Sequence, residues 1–491
     1  MRVSRRLLFT FAAVIALGVA TPTRPAALAP VSVTILHFND VYEIDTVEGG
    51  HSGGLSRVAT VIDRLKRTSA PLITLGGDYL SPSAIGTARI DGQALAGKQM
   101  VDVLNAVGLQ WATFGNHEFD VSEAAFHARL AEGKFGIVSS NVTDATGKPF
   151  ERTVPSTVVP MRAGGRTVRV GLMGLTIDST VKPWVRYQSP VDAARAQVAA
   201  LKGRTDAIVA LTHLSLAADA ELATAVPEID LILGGHEHEN WLIRRGPHFT
   251  PIVKADANVR SLAIVTLTVG AAARPTVTAR LELIDDKVAK SARVESLVRR
   301  WVTTAFNAFR ADGFTPDRTI TTITEPLDGR ESTVRNRPGN MTDLILAAMR
   351  REAGAVDVAL LNGGSVRIDD VLPAGPVSEY DVIRVLPFGG KIVKATFDGS
   401  LLTAVLDAGQ TNQGSGGYLQ RTGVAQLDNG SWTIQGRPVD PAGRYTVVLP
   451  EFLLTGGEAR LGFLTRTNPM VRDVQDLRDV RLAVIDELKA R

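Results

Sequence analysis

Residues 111–120 read Trp111-Ala112-Thr113-Phe114-Gly115-Asn116-His117-Glu118-Phe119-Asp120, and this stretch decides the fold. A short apolar run of strand type stops on a glycine, and residues able to bind a cation or move a proton follow at once. The unit recurs on both sides. Upstream, residues 31–38 form a β-branched apolar run ending in Asn39-Asp40, and residues 72–75 run into Gly76-Gly77-Asp78. Downstream, residues 168–175, 207–211 and 229–233 are apolar, and the last two lead to Thr212-His213 and Gly234-Gly235-His236-Glu237-His238. Helical patterns at 55–66 and 99–107 separate the first strands. Strands alternating with helices predict an α/β architecture with a largely parallel component, where chemistry collects at the carboxyl ends of strands.

The remaining chain is long enough for a second domain. Residues 264–284 read as closing β structure, and 286–309 as a polar helix joining two domains. The pattern then restarts, with a helix at 341–351 and strands at 356–361, 391–397 and 445–450. A chain of 491 residues favours more than one core. The net charge of +3 comes from nearly balanced acidic and basic residues, which argues against a nucleic-acid-coating surface. Cysteine is absent, which excludes disulfides, thiolate metal sites and thiol nucleophiles.

The first 29 residues read as an export signal. Arg2, Arg5 and Arg6 precede an apolar run from Leu7 to Ala20, and Ala27-Leu28-Ala29 supplies a small-residue cleavage site. The apolar run is shorter than the ~20 residues of a spanning helix, so cleavage is expected rather than anchoring. Ser4-Arg5-Arg6-Leu7-Leu8-Phe9 resembles a twin-arginine signal. The expected location is periplasmic or secreted, with no membrane span after cleavage.

All eight histidines precede residue 249, and His117, His213, His236 and His238 stand at strand ends. With Asp40, Asp78 and Asn116 they form a mixed oxygen and nitrogen donor set suited to Zn, Mn, Fe or Co. One carboxylate can bridge two cations about 3.5–4 Å apart, the geometry of phosphate-ester hydrolysis. The alternatives are ordinary: a Gly-Gly-Asp turn, a satisfied core histidine at His213, a helix N-cap at Asp120.

Together and in this order, Leu36-His37-Phe38-Asn39-Asp40, Gly77-Asp78, Gly115 to Asp120, Thr212-His213 and Gly234 to His238 resemble the five blocks of calcineurin-like metallophosphoesterases. The second half resembles the 5'-nucleotidase C-terminal domain through Asn340-Met341, Asn362-Gly363-Gly364-Ser365-Val366-Arg367, Leu386-Pro387-Phe388-Gly389-Gly390 and Phe452-Leu453-Leu454-Thr455-Gly456-Gly457-Glu458. The resemblance implies a layered αββα metallophosphoesterase domain over 31–285, a hinge helix over 286–314, and a substrate-binding α/β domain over 315–491. It implies two divalent or mixed-valence metal ions. Asp78 would bridge them, Asp40 and His238 would hold one, and Asn116, His213 and His236 the other. His117 would assist as an acid or charge stabiliser, oriented by Asp120, while a metal-bound hydroxide attacks phosphorus. Arg335 and Arg367 would meet phosphate or ribose oxygens, Asn362 and Glu458 would line the nucleoside pocket, and Phe388 and Phe452 would sandwich the base. For each phenylalanine the alternative is a core position.

Two positions depart from the family pattern. The first block is usually Asp-x-His, but Tyr42 stands at the histidine position, either as a ligand to iron or as a bystander, with His51 a conceivable substitute. The pocket's Gly-Gly-Asp is Gly456-Gly457-Glu458 here, which bears on base or sugar preference. The expected substrate is a small nucleotide, cleaved as by a 5'-nucleotidase. Cyclic-nucleotide phosphodiesterase, UDP-sugar hydrolase, thiosulfohydrolase and a silent nucleotide-binding protein are the competing readings.

Overall fold

The computed structural model describes residues 29–270 and 274–491, so the export signal expected at 1–29 lies almost wholly outside the described residues. Side-chain alternation sets the layers of the first half. In the strand Ala207–His213, Val209 and Leu211 enter one apolar cluster, while Ile208 and Ala210 enter another. Leu231 and Leu233 part from Ile232 in the same way. Successive strand residues face opposite sides, so a sheet apolar on both faces must be covered twice.

Two sheets solve this. The first runs in the order Thr153–Val154, Gly136–Val138, Trp111–Ala112, Leu72–Leu75, Val31–Phe38, Ser261–Val269, Thr276–Leu283. Its first five strands are parallel and its last two antiparallel. The second sheet runs Ser156–Ala163, Arg166–Thr176, Ala207–His213, Leu231–Gly234, Thr250–Lys254, Trp241–Arg245, with a parallel centre. The sheets pack on each other through Val33, Ile35, Val170, Leu172, Val209 and Leu233. Helices Leu55–Lys66 and Lys98–Val107 cover the outer face of the first sheet, and Pro190–Leu201 and Leu216–Ala225 that of the second. The result is the αββα layering expected.

The second half folds around a five-stranded sheet in the order Leu419–Thr422, Val358–Asn362, Arg444–Pro450, Lys391–Asp398, Val471–Asp479. Helix Gly399–Thr411 packs on one face, and helices Asn340–Ala353 and Val480–Lys489 on the other. Between the halves lies helix Ala292–Ala311. It is not isolated: Val294, Val298, Ala305 and Phe309 are buried, Trp301 Nε1 donates to Asp102 at 2.9 Å, and the Phe306 ring lies 4.9 Å from that of Tyr380. Polar contacts also join the halves. The Tyr380 hydroxyl donates to Glu43 at 3.1 Å, Arg384 lies 3.5 Å from Glu43, and Arg260 lies 3.6 Å from Asp370. Among the described residues no helix is long and apolar enough to cross a membrane.

Candidate active site

Five strand ends deliver the polar residues to one place. Asp40 and Asp78 follow neighbouring parallel strands, and His213 ends a strand of the facing sheet. One donor atom from each of Asp40, Asp78 and His238 lies within 4.8 Å of the others. His213 Nε2 is 3.1 Å from Asp78 Oδ2 and 3.9 Å from Asp40 Oδ1, and His238 Nε2 is 3.4 Å from Asp40 Oδ1. The His236 ring lies 5.3 Å from that of His213, and its backbone N–H donates to Asp40 Oδ2 at 2.9 Å.

The backbone is bent to achieve this. Asp40, Asp78, His236 and His238 all hold positive φ, at 54°, 56°, 90° and 61°. Residues other than glycine seldom adopt this conformation, and its concentration in four ligand candidates marks a site whose geometry the surrounding structure imposes. Gly115 is required for a different reason: a Cβ there would fall 2.1 Å from Asp78 Oδ1.

The electrostatics fit cations. Burial disfavours the Asp40 carboxylate, but His213 and His238 override it and hold it at about 2. Asp78 is held below the usual range: burial is outweighed by His213 and His117. Burial would lower both imidazoles, yet Asp78 and Asp40 push His213 up to about 9, and Asp369 and Asp40 push His238 up to about 10. The donor set also contains an orphaned atom: Asn116 Oδ1 is buried without a hydrogen-bond partner, while His213 Nε2 faces the Asp78 and Asp40 carboxylates. His213 Nδ1 donates to the Gly76 carbonyl at 2.7 Å, which leaves Nε2 as the ring's outward donor atom. A buried polar atom is rarely left unpaired, and Asn116 belongs to the same cavity lining as Asp78, His236 and His238.

Tyr42 enters this cluster. Its hydroxyl lies 3.3 Å from Asp40 Oδ1, 3.2 Å from Asp78 Oδ2 and 2.7 Å from His238 Nε2. Burial, Asp78 and Asp40 raise its pKa well above the ordinary value, so it is held as a phenol. His51 is elsewhere: its ring is exposed and pairs with Asp286 at 3.2 Å, so it does not replace the missing imidazole.

His117 stands beside the cluster, its backbone N–H on Asp78 Oδ1 at 2.8 Å and its Nδ1 2.5 Å from Asp120 Oδ2. Asp120 is not an N-cap. Ser122 caps the helix Glu123–Glu132, accepting from the Ala125 N–H. Arg367 Nη2 lies 3.2 Å from both ring nitrogens of His117. Arg335 and Arg367 converge on Glu331, and each has a buried Nε without a partner. Burial and the nearby Arg367 lower Arg335 to about 10.

A cavity of about 1100 Å³ joins these groups to the second half. Phe388 and Phe452 line it, 56% and 46% exposed, which rules out the core alternative for both rings. Asn362 Nδ2 donates to Glu458 Oε2 at 3.0 Å on the same wall. Three contributors were not anticipated. Glu118 is fully buried and accepts the backbone N–H groups of Asp78, Tyr79, Leu80 and Gly115. Its position inside the 115–120 motif was the available signal. Lys254 and Asp369, which support the His236–His238 loop, carry no local sequence signal.

The comparisons agree with this fold. Residues 33–240 match the model of the calcineurin-like phosphoesterase family, and residues 319–464 match the model of the 5'-nucleotidase C-terminal domain. The chain is similar to protein UshA of Yersinia enterocolitica, with 25% identity over 487 residues covering 87% of this chain and 86% of that protein. It is also similar to a 5'-nucleotidase of Bos taurus, with 24% identity over 509 residues covering 88% and 84%. The crystal structure of a 5'-nucleotidase precursor from Thermus thermophilus shares the fold with a TM-score of 0.75 at 23% identity, covering 94% of this chain and 96% of that one. The two family models match in succession over most of the chain, the fold agrees, and the chain belongs to the family that joins a calcineurin-like phosphoesterase domain to a 5'-nucleotidase C-terminal domain.

Proposed function

We propose that this protein hydrolyses nucleotide phosphate esters, with a 5'-nucleotidase-like preference, at a dinuclear metal centre. One observation carries the reading: a single cavity is lined by Asp78, Asn116, His236 and His238 on one side and by Phe388, Phe452 and Glu458 on the other. Asp40, Asp78 and His238 would hold one cation, with Asp78 bridging to a second held by Asn116, His213 and His236. Zn, Mn, Co and Fe suit these donors. Bound there, the cations would supply Lewis-acid charge and lower the pKa of a coordinated water.

The chain's own residues do the rest. The His117 N–H keeps Asp78 in place. Asp120 holds His117 at Nδ1, which aims Nε2 into the cavity to hold or deliver a proton at the leaving oxygen. The partly unpartnered guanidinium groups of Arg335 and Arg367 meet phosphoryl oxygens, and the two exposed rings accept a base between them. The export signal read in residues 1–29 would place this activity in the periplasm or outside the cell.

The test is phosphate release from AMP, ATP, UDP-glucose, a 2',3'-cyclic nucleotide and an aryl phosphodiester, each after chelation and re-addition of Mn, Zn, Co or Fe. Metal-dependent turnover with AMP ranked first is the expected result. A different ranking would select the diesterase or nucleotide-sugar reading. No turnover by folded, metal-loaded protein would favour a binding protein or a sulfur substrate.

A further inference from the structure

The second half contributes no histidine, yet one of its carboxylates reaches the cluster. Asp369 Oδ2 is hydrogen-bonded to His238 Nδ1 across the domain boundary. Both side chains are shielded, at 19% and 13% exposure. The opposite ring nitrogen, Nε2, faces Asp40 Oδ1 at 3.4 Å. The second oxygen of Asp369 accepts the Glu331 N–H at 2.6 Å, and Glu331 opens the helical turn Glu331–Val334 that leads directly into Arg335.

We propose that Asp369 is a positioning residue for His238, so that cation affinity at the Asp40–Asp78–His238 position depends on the docked second half. An imidazole that donates Nδ1–H to a carboxylate has its tautomer and ring plane fixed, and its Nε2 becomes a better donor to a cation. The demand is high at this position. Tyr42 reaches the same position with an oxygen, its hydroxyl 3.3 Å from Asp40, 3.2 Å from Asp78 and 2.7 Å from His238, which leaves His238 as the nitrogen donor among Asp40, Asp78 and Tyr42. Asp369 is also unlike an ordinary interface charge. Its neighbour Asp370 pairs with Arg260 at 3.6 Å, whereas Asp369 has no lysine or arginine partner within 4.0 Å among the described residues. Because the same carboxylate anchors the turn preceding Arg335, a ligand held by Arg335 and a cation held by His238 share Asp369 as a common support, and the coupling between them runs both ways.

This inference rests on the dinuclear reading and makes the second domain part of the first metal's surroundings. The experiment is a cobalt(II) titration of the full mature chain, followed by visible absorption, for wild type, Asp369→Asn, Asp369→Ala and Asp370→Asn. Circular dichroism establishes folding, and the near-isosteric Asn variant carries the test if the Ala variant does not fold. The expected result is an affinity loss of about 10–100-fold at one of two cobalt sites in Asp369→Asn, with the other unchanged. Asp370→Asn retains both. Adenosine strengthens cobalt binding at the affected site in wild type and not in Asp369→Asn. Unchanged cobalt binding in both Asp369 variants overturns the inference alone, as does an equal loss in Asp370→Asn. Wild type that takes up no cobalt overturns the dinuclear reading with it.

Discussion

Tyr42 and His117 are proposed to divide the site's chemistry between them. Tyr42 touches both aspartates and His238, but its pKa is raised by burial and by those carboxylates, which makes it a weak partner for zinc. Replacing it by histidine supplies a nitrogen donor at the same place. Tyr42→His is expected to tighten zinc retention by about tenfold or more, an effect of the size attached to single changes around metal ligands, read by competition with a chromogenic chelator. Equal retention would show that Tyr42 belongs to a site complete without an imidazole there. His117 has a different duty. Its ring is committed to Asp120 and lies 4.0 Å from Asp78, so its removal spares the ligand set. His117→Ala is expected to lower kcat by about 10²–10⁴-fold while metal content stays near the wild-type value. Parallel loss of metal and turnover would make His117 a ligand instead.

At the scale of the element, the site is a set of strand-end loops held in an unfavourable backbone. Positive φ at four non-glycine residues costs on the order of 1–3 kcal/mol each, which must be offset by the packing beneath. Two buried polar side chains provide it. Glu118 gathers the N–H groups of the loops carrying Asp78 and Asn116. Under the His236–His238 loop, the Lys254 ammonium donates to the Leu214 and Gly235 carbonyls at 2.7 and 2.8 Å and pairs with Asp219 at 2.9 Å and with Glu237. Lys254→Met leaves the Asp219 carboxylate buried and uncompensated. A loss of about 3–5 kcal/mol in unfolding free energy is expected from urea melts. A loss under about 1 kcal/mol would mean that Asp219 simply takes up a proton; burial already raises it to about 6 against the pull of Lys254.

At the scale of the whole molecule, the aspartate–histidine cluster and the two exposed phenylalanine rings belong to different halves and meet across one cavity. Polar pairs cross between the halves beside the apolar packing of the joining helix, with Glu43, Arg260, His117 and His238 facing Tyr380, Asp370, Arg367 and Asp369. Such an interface suits a contact that opens and closes, with helix Ala292–Ala311 proposed as the element about which it turns. The division of labour is testable. Phe388→Ala with Phe452→Ala is expected to raise KM for AMP by an amount corresponding to about 1–3 kcal/mol per ring lost from the base, while a small aryl phosphate is cleaved as by wild type. Unchanged AMP kinetics would remove both rings from the substrate site.

Much of this was legible in the chain. The apolar runs at 31–38, 72–75 and 207–211 are strands, because a run buried on both faces has few other ways to satisfy its backbone. The residues that follow them, Asp40, Asp78, Asn116, His117, His213, His236 and His238, converge because parallel strands place their carboxyl ends at one edge. The helix read over 286–309 exists as Ala292–Ala311, displaced because Ser291 stands at its N-cap position and the preceding residues turn. Other features had no local signature. Whether Tyr42 reaches the cluster, whether Asp120 caps a helix or holds His117, and whether Phe388 is core or cavity wall depend on distances between segments far apart in the chain. The pairing of Asp369 with His238 spans 131 positions, and that of Lys254 with Asp219 lies under a loop from neither segment. Residue type and spacing therefore determined the chemistry available at each strand end. Only the packing of two sheets and two domains decided which of those groups stand within hydrogen-bonding reach, because that reach is a few ångströms and sequence separation does not measure it.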